Sequence, residues 1–290
     1  MFYPKISIVT PNYNQADYLE QTILSVLNQG YSNLEYIIID GGSTDGSIDI
    51  IKRYEDQLTY WISESDNGMY EAIQKGFDKS TGEIMAWINS DDMYHKNALF
   101  TIAEIFSTLA DINWVVGTST MYDKLGRTLY VEHSRQFTKY DFYSSDFFWI
   151  QQESCFWRRT LWNKVGAKLN GNLKYAGDFD LWLRFFRYDR LFVVNALIGG
   201  YRLRGINQIS QNHIDDYLNE AKKALEDEII SINDKMLLKR YAKVKEVHKK
   251  ISKFKFINAD RLIARFKRIN FNPTQRIIYN FEKGFFYLEN

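Results

Sequence analysis

Leu34-Glu35-Tyr36-Ile37-Ile38-Ile39-Asp40-Gly41-Gly42-Ser43-Thr44-Asp45-Gly46-Ser47 is the stretch on which the fold turns. Its first seven residues read as a buried strand, a short apolar run rich in isoleucine. The paired glycines then turn the chain into a helix that runs to about residue 54, and they allow backbone to approach a ligand closely. Asp45 is accounted for as a cap on that helix. Asp40 is not, because an acid at the very end of an apolar strand gains nothing from capping. The stretch is not a P-loop, since it lacks the Gly-Lys-Ser/Thr ending. It is neither a dinucleotide fingerprint nor an EF-hand, whose alternating oxygen ligands and distal Glu are missing.

Upstream, residues 6–10 read as a buried strand, followed by a helix opened by Asn14 or Asp17 and closed by Gly30. Downstream come a strand at 58–63, a loop at Asp66-Asn67-Gly68, a helix at 70–79 and a strand at 83–89. This βαβαβαβ order predicts an α/β fold with a mainly parallel central sheet and right-handed crossovers. Asp40, Asp66 and the pair Asp91-Asp92 each follow a strand. Ligands of open α/β sheets bind outside the carboxyl ends of the strands, so these acids are expected to build one site. Such a site suits a divalent cation and the hydroxyls or ring nitrogens of a nucleotide.

Beyond residue 96 the expectations are a helix at 97–109 and a hairpin of strands 114–122 and 128–131 around 123–126. An aromatic stretch at 140–150 is expected to line a cleft. Helices at 160–165 and 178–188, an extended segment at 191–203 and helical pattern over 214–250 follow, and Pro273 interrupts a final basic and aromatic segment.

The 290 residues suffice for one large α/β domain with an appendage or for two modest domains, and 45% hydrophobic with 25% charged residues is ordinary globular composition. The single cysteine, Cys155, excludes an intrachain disulfide and a cysteine-rich zinc site; it reads as core. No basic-then-apolar leader is expected at the N-terminus, nor any apolar run of the ~20 residues needed to span a bilayer. The net charge of +1 conceals a split: residues 235–290 hold 15 Lys and Arg against 4 Asp and Glu. In that tail Leu262, Ile263, Phe266 and Ile269 share a helical face flanked by Arg265, Lys267 and Arg268. Such a face suits an anionic membrane surface; the alternatives are a helix packed on the main domain and, least favoured, a nucleic-acid patch.

Asn89-Ser90-Asp91-Asp92 places two carboxylates side by side, and their repulsion favours a cation or hydrogen-bond donors as partners. Oxygen-only ligands point to Mg2+ or Mn2+; the plainer reading is a helix cap or solvated turn. Thr10-Pro11-Asn12-Tyr13-Asn14 is an ordinary β–α turn or one that aims Tyr13 at a flat base. In Gly177-Asp178-Phe179-Asp180-Leu181-Trp182-Leu183-Arg184 the helix dipole explains one acid, and Asp178 is a candidate general base. Arg184 pairs with a carboxylate or approaches a phosphate. His95, His133, His213 and His248 lack metal-like spacing.

Taken in order, Ser7–Asn14, Asp40–Ser47, 63–68, 89–92 and 176–184 resemble an inverting family 2 glycosyltransferase of the GT-A fold, over about residues 4–212. The resemblance implies a catalytic domain at 1–212 and a basic, aromatic, helical extension at 213–290. It implies that Thr10, Pro11 and Tyr13 border the nucleotide base, that Asp40 hydrogen-bonds it, and that Asp66 and Asn67 lie along the base or ribose. Asp91 would face the ribose and Asp92 the metal, filling the DXD role, with Asp178 the catalytic base. Gln152 matches a stretch near acceptor and diphosphate. Two positions depart from the pattern. Asn89 replaces the first DXD acid, so ligation leans on Asp91 and Asp92. Arg204 stands where relatives often carry a histidine, and is expected at the leaving diphosphate.

The expected activity is metal-dependent transfer from a nucleotide-diphosphate sugar, UDP-linked, to a hydroxyl of a cell-surface glycan or lipid-linked acceptor. The expected place is the cytoplasm, peripheral at the inner face of the membrane, with no nucleic-acid partner. The rivals are a sugar nucleotidyltransferase, whose basic Gly-rich signature is absent from residues 1–30, and a non-catalytic sugar-nucleotide or glycan-binding protein.

Overall fold

The computed structural model describes residues 3–132, 137–145, 150–205, 208, 212–228, 232–253, 259–271 and 273–289. His133, residues 146–149 of the aromatic stretch and 254–256 of the basic tail lie outside them.

The N-terminal half alternates as its hydrophobic pattern predicts: β1 (Ile6–Asn12), α1 (Ala16–Leu27), β2 (Leu34–Asp40), α2 (Ser47–Arg53), β3 (Tyr60–Ser63), α3 (Met69–Lys79) and β4 (Ile84–Trp87). β1 lies between β2 and β4 and is parallel to both, and β3 extends β2 in parallel. Side chains of a strand alternate between faces. Ile37 and Ile39 therefore join Val9, Trp87 and Phe77 on the α3 side, while Tyr36 and Ile38 join Ile8 and Ile23 on the α1 side. Burying each such isoleucine is worth roughly 1.5–3 kcal/mol, which sets the register of the sheet.

The second half comprises β5 (Met93–Tyr94), α4 (Ala98–Thr108), β6 (Trp114–Tyr122), β7 (Thr128–Glu132), α5 (Lys139–Tyr143), β8 (Cys155–Arg158), α6 (Arg159–Lys164), α7 (Gly177–Phe186), β9 (Phe192–Leu197) and β10 (Gly199–Arg202). α8 (Ile214–Glu226), α9 (Ile232–Ile251), α10 (Ala259–Asn270), β11 (Gln275–Asn280) and β12 (Phe285–Leu288) complete it. The described strands form one sheet in the order β12-β11-β9-β6-β8-β4-β1-β2-β3, with β7 beside β6 and β10 bridging β5 and β6. β8 is antiparallel to both β4 and β6 and joins the two halves.

Several expectations change. The extended segment at 191–203 is two strands. β9 stays in the main sheet, whereas β10 steps off to pair with β5 and the end of β6. Gly199 permits the step: a Cβ there would lie 2.1 Å from Glu153 O. The extension is helical in α8, α9 and α10, but its end is a hairpin, β11 pairing in parallel with β9 and antiparallel with β12. Ile277 and Ile278 supply the β-branched residues that favour a strand, and Ile277 is fully buried. On α10, Lys267 leaves the cationic face and pairs with Asp141 at 3.3 Å, while Phe266 and Ile269 stay 41% and 72% exposed beside exposed Arg265 and Arg268. Among the described residues no helix is long and apolar enough to cross a membrane.

Candidate active site

The ends of β1, β2 and β3 are sewn together through Asp40. Its Oδ1 accepts from Asn12 Nδ2 and Ser43 Oγ, both at 2.6 Å. Its Oδ2 accepts from Ser63 Oγ at 2.6 Å and from the amides of Ser43 and Gly42 at 2.9 and 3.1 Å. A carboxylate offers about four lone-pair sites, and five donors fill them. Burial alone would push this carboxyl up, but the hydrogen bonds from Ser43, Ser63 and Asn12 outweigh it and hold Asp40 below the usual range. Asp40 is 0% exposed, and these five donors tie it to the ends of β1 and β3.

Asp66 takes the open position above it. Its Oδ1 accepts the Gly68 amide at 2.9 Å, and its Oδ2 is the atom a Gly41 Cβ would approach to 2.9 Å. That is why glycine stands at 41, while Gly42 is needed for its φ of +82°. Burial raises the Asp66 carboxyl, and the Gly68 amide only partly offsets it. Asn67 is exposed and committed to Glu71, whose Oε2 accepts its Nδ2 at 2.6 Å. Thr10 is buried against the Tyr36 hydroxyl at 3.1 Å, and Pro11 is buried as well. Tyr13, 62% exposed, is the residue of that turn that does present a ring.

The Asn89–Asp92 turn meets β10. Asp92 is 0% exposed; its Oδ1 accepts the Arg202 amide at 2.9 Å, and Asn89 Nδ2 lies 3.3 Å from Oδ2. Burial, then the charges of Asp91 and Glu153, drive its carboxyl far above the ordinary range. Asp91, with a side chain 14% exposed, meets Arg204 Nε at 3.0 Å through Oδ2. Asp92 thus lies against β10, and Asp91 lies against Arg204. Arg204 also donates to Gln15 and lies over Tyr18.

Two groups were missed in sequence. Arg202 is fully buried; its Nε donates to Asp91 O and its Nη1 to Lys124 O, with Tyr18 beneath the guanidinium. Both Arg202 and Arg204 lie over the Tyr18 ring. Glu153 is buried and its carboxyl is pushed up to about 8 by burial, then by the charges of Asp91 and Asp178. Its neighbour Gln152 donates Nε2 to Trp87 O at 2.6 Å, which sets this turn behind the end of β4. For Mg2+ or Mn2+, the donors here are oxygens: Asp91, and Asn89 Oδ1 and Gln152 Oε1, both buried without a hydrogen-bond partner. That set fits a hard cation that takes its other ligands from water and phosphate. Among the described residues no three His, Cys, Asp or Glu side chains gather into a metal cage.

Asp178 starts α7. Its Oδ1 accepts the Phe179 amide at 2.8 Å, with the Tyr70 hydroxyl at 3.4 Å. Burial lifts the carboxyl to about 6, against the lowering effect of those hydrogen bonds. Tyr70, near the start of α3, also donates to Tyr175 O at 2.9 Å and so links the Asp66 loop to the Asp178 helix. Arg184 is structural: it pairs with Asp180 at 2.8 Å and donates to Val165 O and Lys168 O. Cys155 is buried core, as expected.

The Glycosyl transferase family 2 model matches residues 7–179. An uncharacterized glycosyltransferase of Rickettsia prowazekii is 27% identical over 245 residues, 80% of this chain and 76% of that protein. One from Rickettsia typhi is 29% identical, but the match spans only 61% of its length. The putative teichuronic acid biosynthesis glycosyltransferase TuaG of Bacillus subtilis is 37% identical over 33% of this chain and 39% of its own. Among solved structures, Staphylococcus aureus TarS 1–349 in complex with UDP-GlcNAc superposes with a TM-score of 0.62 at 17% identity, over 81% of this chain and 70% of that one. The mannosyltransferase PcManGT of Pyrobaculum calidifontis, in complex with GDP-Man and Mn2+, gives 0.60 at 18% identity over 93% and 81%. With the sheet order and strand-end carboxylates described above, the match over residues 7–179 places the chain in glycosyl transferase family 2, on a GT-A fold.

Proposed function

We propose that the protein transfers a sugar, with inversion, from a nucleotide-diphosphate sugar, UDP-linked, to a hydroxyl of a cell-surface glycan or lipid-linked acceptor. The observation that carries this reading is Asp178: a carboxyl at the site edge whose protonation changes near 6, close to working pH, as a general base requires. Asp178 takes the proton of the acceptor hydroxyl. The freed oxygen attacks the anomeric carbon from the side opposite the diphosphate, and the bond from that carbon to the diphosphate oxygen breaks in the same displacement. Asp66, above Gly41, receives the nucleoside; Tyr13 offers a ring to the base. Arg204 exchanges Asp91 for the leaving diphosphate, where a guanidinium forms paired hydrogen bonds. When bound, Mg2+ or Mn2+ would supply further positive charge there, with Asp91, Asp92 and Asn89 Oδ1 as its protein donors.

A thermal-shift panel of UDP-, GDP- and dTDP-sugars with and without Mn2+ tests the donor: stabilisation by UDP-sugars alone is expected, and preference for another base overturns the UDP assignment. Asp178→Ala should keep donor binding while losing transfer; undiminished transfer removes the base. We propose also that Phe266 and Ile269 of α10, with Arg265 and Arg268, hold the protein at the inner face of an anionic membrane. Co-sedimentation of the full chain with anionic vesicles, lost on F266S/I269S and absent with neutral vesicles, is the expected result. Equal binding to both vesicle types overturns it.

A further inference from the structure

The catalytic assignment leaves unexplained a carboxylate in the C-terminal extension. Glu220 of α8 faces the loop that leads into Asp178. Its Oε2 accepts the amides of Tyr175 at 2.8 Å, Ala176 at 3.0 Å and Lys174 at 3.1 Å, and its Oε1 shares the Lys174 amide at 3.1 Å. Three successive amides converging on one anion form a nest, and this one lies just ahead of the positive end of α7. The loop needs an anchor. It spans residues 165–176 between α6 and α7 and contains Gly166 and Gly171, so its backbone has much freedom to lose.

The contacts run on from there to the base. Tyr175, held through its amide, offers its carbonyl to the Tyr70 hydroxyl, and that hydroxyl accepts the Asp178 amide at 3.3 Å and faces Asp178 Oδ1. α8 contributes more on the same side: the His213 ring stacks on Tyr175 at 4.8 Å. At the other end of α7, Arg187 grips Glu228 through two hydrogen bonds of 2.6 Å. The extension thus holds α7 at both ends, but only the Glu220 end reaches the base.

We propose that Glu220 is a positioning residue for transfer: it fixes the 174–176 amides and, through Tyr175 and Tyr70, the aim of the Asp178 carboxylate. The inference rests on Asp178 being the base. It makes the extension part of the catalytic machinery, because a helix beyond residue 212 sets the geometry of a group at 178.

The test compares Glu220→Ala, Glu220→Gln and Glu228→Ala in the full chain with Asp178→Asn. A misplacement of about 1 Å costs on the order of 100-fold in rate. Glu220→Ala is therefore expected to lower kcat about 10–100-fold with donor KM within about threefold. The acid limb of its rate profile should move to higher pH, because the Phe179 and Tyr70 hydrogen bonds that hold Asp178 down are loosened. The other titratable groups near Asp178 are Tyr70, Tyr217, Glu153 and Cys155. All have pKa values raised above their ordinary ones, so they do not account for a limb near 6. Glu220→Gln, which keeps one acceptor oxygen, should recover part of kcat. Glu228→Ala loosens α7 at its far end, so stability should fall while kcat and the acid limb stay. Hydrogen exchange of the 174–176 amides should accelerate in Glu220→Ala and not in Glu228→Ala. Equal kcat losses in the two, or an unmoved acid limb in Glu220→Ala, reduce Glu220 to a structural contact. Should Glu220→Ala fail to fold, the Gln variant is read by the same limb and the same amides. Full transfer by Asp178→Asn would instead sink the base assignment itself, whatever Glu220 does.

Discussion

Asp40 is a buried and Asp178 a half-buried carboxylate at the edge of one sheet, and the protein treats them in opposite ways. Asp40 receives five donors and is held below the ordinary carboxylate range. Asp178 receives a short hydrogen bond from its neighbour's amide and a long one from Tyr70, and is lifted to about 6. The difference separates architecture from chemistry. A carboxylate surrounded by donors stays ionised. One that is buried with few donors keeps basicity in reserve for a proton. Asp92, with one amide of β10 and a 3.3 Å contact from Asn89, is driven up as Asp178 is, and burial raises Asp91 as well despite Arg204.

The comparison can be broken most sharply at its chemical end. Asp178→Asn should cut kcat by about 10^3-fold, within the range typical of a lost general base, with donor affinity preserved in a thermal-shift titration. In the unaltered protein kcat should fall as pH drops through about 6, where Asp178 takes up its proton.

Asp40→Asn should do the reverse. Replacing an acceptor-only group by one carrying its own N–H leaves buried donors of Ser43, Ser63 or Asn12 unmet, at a cost of about 2–4 kcal/mol in a urea melt. Activity should decline only with the folded fraction. Because the Asp40 pKa is lowered on folding, its contribution is present above the ordinary carboxylate pKa. It is lost as pH falls through the folded value. The melting temperature of Asp40→Asn should therefore depend less on acid pH than that of the unaltered protein.

A smaller effect has the opposite sign. The Asp178 pKa is raised on folding, to about 6 from an unfolded value of 3.8, so the folded state holds the proton longer and stability declines as pH rises between those values. Asp178→Asn should then be more stable than the parent by about 1–3 kcal/mol at pH 8, where the burial of charge is relieved. It should match the parent at pH 3.5. A gain that is the same at both pH values would show that burial of the charge is not its source. The smallest effect belongs to Asn67→Ala: its exposed hydrogen bond to Glu71 is worth about 0.5–1 kcal/mol, and UDP-sugar affinity should hold within twofold. A tenfold loss of affinity would move Asn67 back into the nucleotide site.

Local pattern made the N-terminal half legible. Short apolar runs bounded by turn residues in the strands and 3.6-residue spacing in the helices are local properties, and β1 to β4 lie within two residues of their expected bounds. The set of acids at strand ends, and Asp178 on its own helix, could be read the same way. What failed in the sequence was non-local. β8 and β11 are placed in the sheet by their partners, β4 and β6 for one and β9 and β12 for the other. Arg202 reads as one more surface cation until β10 carries it under the Asn89–Asp92 turn. Nor does the stretch around Asp40 show that Asn12 and Ser63 reach it from neighbouring strands.

The sequence by itself thus determined the alternating α/β layout and which side chains could carry charge to the sheet edge. Both follow from the side-chain periods of strand and helix, and from the rule that strand ends carry the site. The tertiary structure alone decided what each charge does. A carboxylate's proton affinity depends on donors, neighbouring charges and burial brought from positions far apart in the chain. The same aspartate side chain is held low at 40, driven far up at 92 and lifted to about 6 at 178 for that reason.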